Sequence, residues 1–142
     1  MDKIKVLFVC IHNSARSQMA EAFLKKHGGD RFDVESAGLE PGKLNPVVID
    51  VMREAKIDIS QNKTKSVFEF YEKGNLYDFV VTVCDEAQSE RCPVFPGRAK
   101  KLHWGFPDPS SFSGSEEEKR SKTREVRDQI ENKVKYWVKN FN

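Results

Sequence analysis

Two hydrophobic periodicities alternate along this chain. Residues Lys5–Cys10 are apolar almost without a break, which suits a strand buried on both faces of a parallel sheet. From Ser14 to His27 the apolar positions Ala15, Met19, Ala22 and Phe23 recur at helical spacing, and Gly28-Gly29 stops them. "FDVESAG" reads as a second strand closed by Gly38. Asn45 is placed to cap a helix whose first residue is Pro46 and whose apolar face is Val47, Val48, Val51, Met52 and Ala55. A short helix is expected within "DISQNKTKSVFEFYEKGN", ended by Gly74-Asn75. "YDFVVTVC" is a third strand ending on Cys84, Asp85–Gly97 is a loop whose "DEAQSER" stretch is polar throughout, and "AKKLHW" is a fourth strand. After the Pro- and Gly-rich "GFPDPSSFSG", Ser115 and Glu118 form a capping box. It opens a long helix with Val126, Ile130, Val134, Trp137, Val138 and Phe141 on one face.

Strands that alternate with helices imply βαβ units, hence an α/β fold: a three-layer sandwich around a four-stranded parallel sheet. The order expected is 2-1-3-4, and ligands then bind beyond the carboxyl ends of strands 1 and 3. Cys10 and Cys84 end those two strands, so the topology brings both to one crevice. Residues 1–142 read as a single catalytic domain with no repeat or linker.

Composition narrows the function. Charged residues make up 32% and hydrophobic residues 38%, as in globular proteins, and the 24 Lys+Arg nearly balance the 22 Asp+Glu. A net charge of +2 gives no electrostatic reason to expect nucleic acid. No apolar run approaches the ~18–20 residues of a membrane span, and "MDKIKVLF" lacks the pattern of a signal peptide. The expected location is therefore the cytoplasm, where thiols stay reduced. Three cysteines, Cys10, Cys84 and Cys92, are too few for a disulfide framework and lack the Cys-x2-Cys spacing and fourth ligand of a zinc site, so no metal is expected. They are inert core thiols, or they are redox and nucleophilic groups.

The loop "CIHNSARS" has the composition of an oxyanion cradle. A helix start leaves backbone N–H groups unpaired and adds about half a positive charge. The loop Ile11, His12, Asn13, Ser14 and Ala15 can wrap those amides around a tetrahedral anion, and Arg16 closes it with a planar two-pronged donor. The same field favours a thiolate at Cys10, to which Ser17 can donate, and Asn13 tolerates a left-handed backbone. Against this stands the plainer reading of Cys10 as a small core residue at a strand end.

"VCIHNSARSQMAEAF" resembles the low-molecular-weight protein tyrosine phosphatase superfamily and, within it, the thioredoxin-coupled arsenate reductases. The resemblance covers essentially the whole chain. Ala15 stands where the phosphatases usually show a second cysteine, "RSQMAEA" replaces their "RSP", and Ser110 stands where they show the Tyr of "DPY". The resemblance implies a monomeric enzyme without cofactor that reduces arsenate to arsenite. Cys10 attacks arsenic, Asp108 is the general acid, Cys84 attacks the Cys10 sulfur, and Cys92 then takes Cys84 into a second disulfide. Thioredoxin, or another thiol system such as glutaredoxin, regenerates the dithiol.

Two other functions remain in play. A phosphatase acting on phosphomonoesters needs Cys10, Arg16 and Asp108 but not Cys84 or Cys92, and Phe106 or Phe112 can line its mouth. A phosphocarrier or redox-sensing module needs no leaving-group acid. The reductase resemblance also implies a potassium site behind the loop. Asn13, Glu21 and Ser36 match three of its ligands, but the fourth falls in "QNKTKS", where Lys63 and Lys65 occur and no Asp does. Lys65 is the expected built-in cation beside Glu21; as plain surface residues, both lysines are simply solvated.

Overall fold

The computed structural model describes residues 3–141, so the span 1–142 includes Met1, Asp2 and Asn142, which lie outside the described residues. Strands β1 (Ile4–Cys10), β2 (Phe32–Gly38), β3 (Phe79–Thr82) and β4 (Lys100–His103) form one sheet in the order β2-β1-β3-β4, every pair parallel. Helices α1 (Arg16–Gly28), α2 (Pro46–Glu54), α3 (Val67–Glu72), α4 (Glu86–Ser89) and α5 (Glu116–Lys139) cover it. The expected architecture and strand order are those found.

The unbroken apolar run of β1 has its physical cause in this order. As an inner strand, β1 sends Val6, Phe8 and Cys10 into one core and Leu7 and Val9 into another. The first core is closed by Met19, Phe23 and Leu24 of α1, Val48 and Met52 of α2, and Val126, Ile130 and Val134 of α5. The second is closed by Val67 and Phe70 of α3 together with Cys92 and Phe95. Each fully buried side chain of this size contributes about 1.5–3 kcal/mol.

Element ends depart from the sequence pattern where chemistry sits. Helix α1 begins at Arg16 rather than Ser14, with Ala15 in the cap position and no side chain capping it. Residues 11–15 are bent out of the helix as a loop. Strand β3 stops pairing at Thr82, so Cys84 lies just beyond it. The expected loop Asp85–Gly97 contains the helical turn α4. The Asn45 cap, with Oδ1 accepting from Val47 and Val48 N–H, and the Ser115–Glu118 capping box both form as the sequence indicates.

Candidate active site

The loop between β1 and α1 is held by its carbonyls. Those of Cys10, Ile11 and His12 accept from the backbone N–H groups of Leu39, Glu40 and Gly42 at 3.1, 2.7 and 3.0 Å. The Ser14 and Ala15 carbonyls accept from Asn45 and Met19 N–H, each at 3.0 Å. The Asn13 carbonyl accepts from Gln18 Nε2 at 3.1 Å. In a trans peptide each carbonyl opposes the next residue's N–H. With the carbonyls drawn outward, the amides turn in towards the loop centre. Asn13 N–H already points at Cys10 Sγ from 3.2 Å, and Asn13 has the left-handed φ of 55° that this turn needs. The uncapped first turn of α1 adds its own N–H groups and dipole.

Around that centre stand the expected side chains. Cys10 Sγ and Ser17 Oγ share a hydrogen bond of 2.8 Å. Arg16 is almost fully buried; its Nη1 donates to the Phe106 carbonyl at 3.1 Å, and its Nη2 lies 3.7 Å from Asp108 Oδ2. A guanidinium buried this deeply needs an anionic partner, and Asp108 is only a long one. Asp108 caps the 3-10 turn Pro109–Ser111, its Oδ1 accepting from Ser110 N–H at 3.0 Å. The turn presents the carboxylate to the loop while leaving it about one-third exposed.

The other two cysteines occupy different cores. Cys84 is fully buried in the core that holds Cys10. Burial pushes its thiol up, the Arg16 charge acts downward, and Cys10 acts upward, so Cys84 lies within the electrical reach of both. Cys92, carried by a segment read from sequence as a loop, is instead buried in the second core, across the sheet. Burial lifts its thiol to about 11, against the opposing charge of Lys101. All three thiols are free.

The sequence pattern of the low molecular weight phosphotyrosine protein phosphatase family matches residues 5–142. The chain belongs to that family. Among curated relatives, an arsenate reductase of Bacillus licheniformis is 44% identical over 135 residues, 95% of each chain. A solved arsenate reductase of Archaeoglobus fulgidus superposes with a TM-score of 0.75 at 33% identity, covering 95% of this chain and 99% of that one. A thioredoxin-dependent arsenate reductase of Corynebacterium glutamicum gives a TM-score of 0.62 at 25% identity, covering 94% of this chain and 63% of that one.

Within this phosphatase-family fold, the layer behind the loop contains residues that motif reasoning missed. Gln18 is fully buried; its Nε2 donates to the Asn13 carbonyl, Asn13 Oδ1 and the Lys63 carbonyl, each at 3.1 Å. Its sequence signal was its place in "RSQMAEA", where the phosphatases show "RSP". Gly38 pairs with Cys10 across the sheet, where a Cβ would meet Asn13 N at 2.7 Å and the Ile11 carbonyl at 2.8 Å. Asn13 Nδ2 donates to Ser17 Oγ at 2.7 Å and Ser36 Oγ at 3.0 Å, and Ser36 donates to Glu21 Oε1 at 2.5 Å. The three residues expected around a cation are thus together. Their oxygens already have partners: Glu21 Oε2 meets Lys25 Nζ at 2.6 Å and Glu21 Oε1 lies 3.8 Å from Lys65 Nζ. Asn13 Oδ1 is likewise taken, accepting from Lys65 N–H at 3.0 Å. Among the described residues no helix is long and apolar enough to cross a membrane.

Proposed function

We propose that this chain is an arsenate reductase that converts arsenate to arsenite through Cys10, Cys84 and Cys92 and is regenerated by thioredoxin. The observation that carries the reading is Cys84, buried in the same core as Cys10, where a phosphatase needs no second thiol. The arsenate oxygens rest on the amides of Ile11 to Ser17 and on the Arg16 fork. Cys10 attacks arsenic through sulfur, and Asp108 gives its proton to the departing oxygen. Cys84 then attacks the Cys10 sulfur. The S–As bond breaks with its electron pair on arsenic, which leaves as arsenite, and a Cys10–Cys84 disulfide forms. Cys92 attacks Cys84, Cys10 leaves as a thiolate, and the Cys84–Cys92 disulfide passes to the external dithiol. Three free thiols suit a reducing cytoplasm.

Lys65 serves in this reading as a fixed cation, balancing Glu21 and holding Asn13 through its own N–H. A second reading, hydrolysis of phosphomonoesters, is favoured by the loop itself, since Cys10, Arg16 and Asp108 suffice for it.

The deciding assay couples arsenate to NADPH oxidation through thioredoxin and its reductase, beside hydrolysis of para-nitrophenyl phosphate. Cys10→Ser is expected to abolish both activities. Cys84→Ser is expected to abolish reduction alone. Cys92→Ser is expected to stop after one turnover with Cys10–Cys84 trapped, visible by peptide mapping. Sustained reduction by any of the three variants overturns the relay, and hydrolysis without reduction in the wild type establishes the phosphatase.

A further inference from the structure

We propose that Lys101 is a positioning residue of the thiol relay, pinning the backbone ahead of Cys92 and meeting the negative charge that gathers on the Cys92 sulfur as it attacks. The inference rests on the relay set out above. Lys101 lies on the edge strand β4 in register with Val80 of β3. Parallel partners send their side chains to the same face, and Val80 belongs to the core in which Cys92 is buried. Lys101 is exposed as a residue, but its Nζ is anchored to backbone. It donates to the Ser89 carbonyl at 3.0 Å, and Cys92 N–H donates to the same carbonyl at 3.2 Å. That carbonyl closes the turn α4, where a cation is favourably placed.

The surroundings leave Lys101 as the cation that acts on this sulfur. Val80 and Phe95 belong to the apolar core that holds Cys92, Ala99 packs against it, and the Cys92 thiol donates to the Pro93 carbonyl at 3.6 Å. Arg91, the neighbour in the chain, is committed to Glu40 Oε2 and Gln88 Oε1, each at 2.7 Å. Tyr77, from the same core, donates its hydroxyl to Glu35, and Cys84 opposes a negative charge at Cys92 rather than favouring it. In the step at issue the Cys92 thiol loses its proton to solvent and attacks Cys84 Sγ. The Cys84–Cys92 bond forms, the Cys10–Cys84 bond breaks, and Cys10 departs as a thiolate, with no net change in oxidation state. Burial makes the first part costly, and Lys101 offsets it. A lysine on an edge strand also blocks strand addition, but that duty is indifferent to where Nζ rests and has no bearing on thiol exchange.

The test mixes reduced enzyme with arsenate, without thioredoxin, and quenches with acid at timed intervals from neutral to alkaline pH. Peptide mapping then counts Cys10–Cys84 and Cys84–Cys92 disulfides. In Lys101→Met the first disulfide is expected to form and accumulate. Its conversion to the second should slow about tenfold at neutral pH and recover as pH rises, since less Cys92 is ionised. Lys101→Arg is expected to restore most of the neutral rate. Conversion by Lys101→Met at the wild-type rate overturns the proposal. So does a slowing that is equal at every pH and is not rescued by arginine. If Lys101→Met forms no first disulfide, Lys101→Gln is judged by the same criteria. Absence of any Cys84–Cys92 bond in the wild type instead overturns the relay, and is read before any variant is made.

Discussion

At Gly38 the loop passes so close to β2 that a single methyl would collide with backbone rather than with a yielding side chain. Gly38→Ala is therefore expected to push residues 11–13 inward and to lower kcat/KM for arsenate at least about tenfold, equivalent to ~1.4 kcal/mol. Steady-state kinetics with the melting temperature checks this. Arg16 presents a different residue-scale argument. Lysine keeps the charge but not the planar pair of donors, and it leaves the Phe106 carbonyl without its present partner. Arg16→Lys is expected to lose about tenfold or more in kcat/KM, with the loss carried over to phosphate-ester hydrolysis. The glycine was legible in the sequence as a strand end, yet its closeness to the loop was not. The arginine was legible because Cys-x5-Arg before a helix is a chemical pattern, read without neighbours.

The segment Lys63–Ser66 shows how an element acts on the site without touching substrate. It is stitched to the loop by Gln18 to the Lys63 carbonyl and by Lys65 N–H to Asn13, and to β2 by Gly38 N–H to the Lys65 carbonyl at 2.8 Å. With the Lys65 ammonium beside Glu21, arsenate reduction is expected to proceed equally in potassium and in a large organic cation at matched ionic strength. Lys65→Asp is expected to create a potassium dependence, and potassium activation of the wild type contradicts the built-in cation. The long helix α5 gives a purely structural counterpart. Its capping box satisfies two groups at once, Glu118 N–H to Ser115 Oγ at 3.1 Å and Ser115 N–H to Glu118 Oε1 at 3.2 Å. Ser115→Ala is expected to cost about 1 kcal/mol in chemical denaturation while leaving kcat unchanged.

Over the whole molecule, the two faces of the sheet do different work, one holding Cys10 and Cys84 and the other holding Cys92 as a buried neutral thiol. That division has a stability signature. A thiol held up at about 11 when folded, but near ~8.5 when unfolded, binds more protons in the native state between those values. The slope of stability with pH is then negative. Stability is complete below about pH 8.5 and falls towards pH 11, by about 3 kcal/mol, and Cys92→Ala is expected to flatten that fall in urea unfolding at stepped pH. By itself the sequence determined the α/β class, the strand order, the caps of α2 and α5, and the place of the loop between β1 and α1. Each of these follows from short-range periodicity, local hydrogen bonding or the topology that alternation imposes. Only the tertiary structure decided that α1 starts two residues late, that Gln18 and Gly38 set the loop, and that Cys92 is buried across the sheet from Cys84. Those outcomes depend on which carbonyls find donors and which thiols find apolar walls among residues distant in the chain, and a one-dimensional pattern carries no record of such meetings.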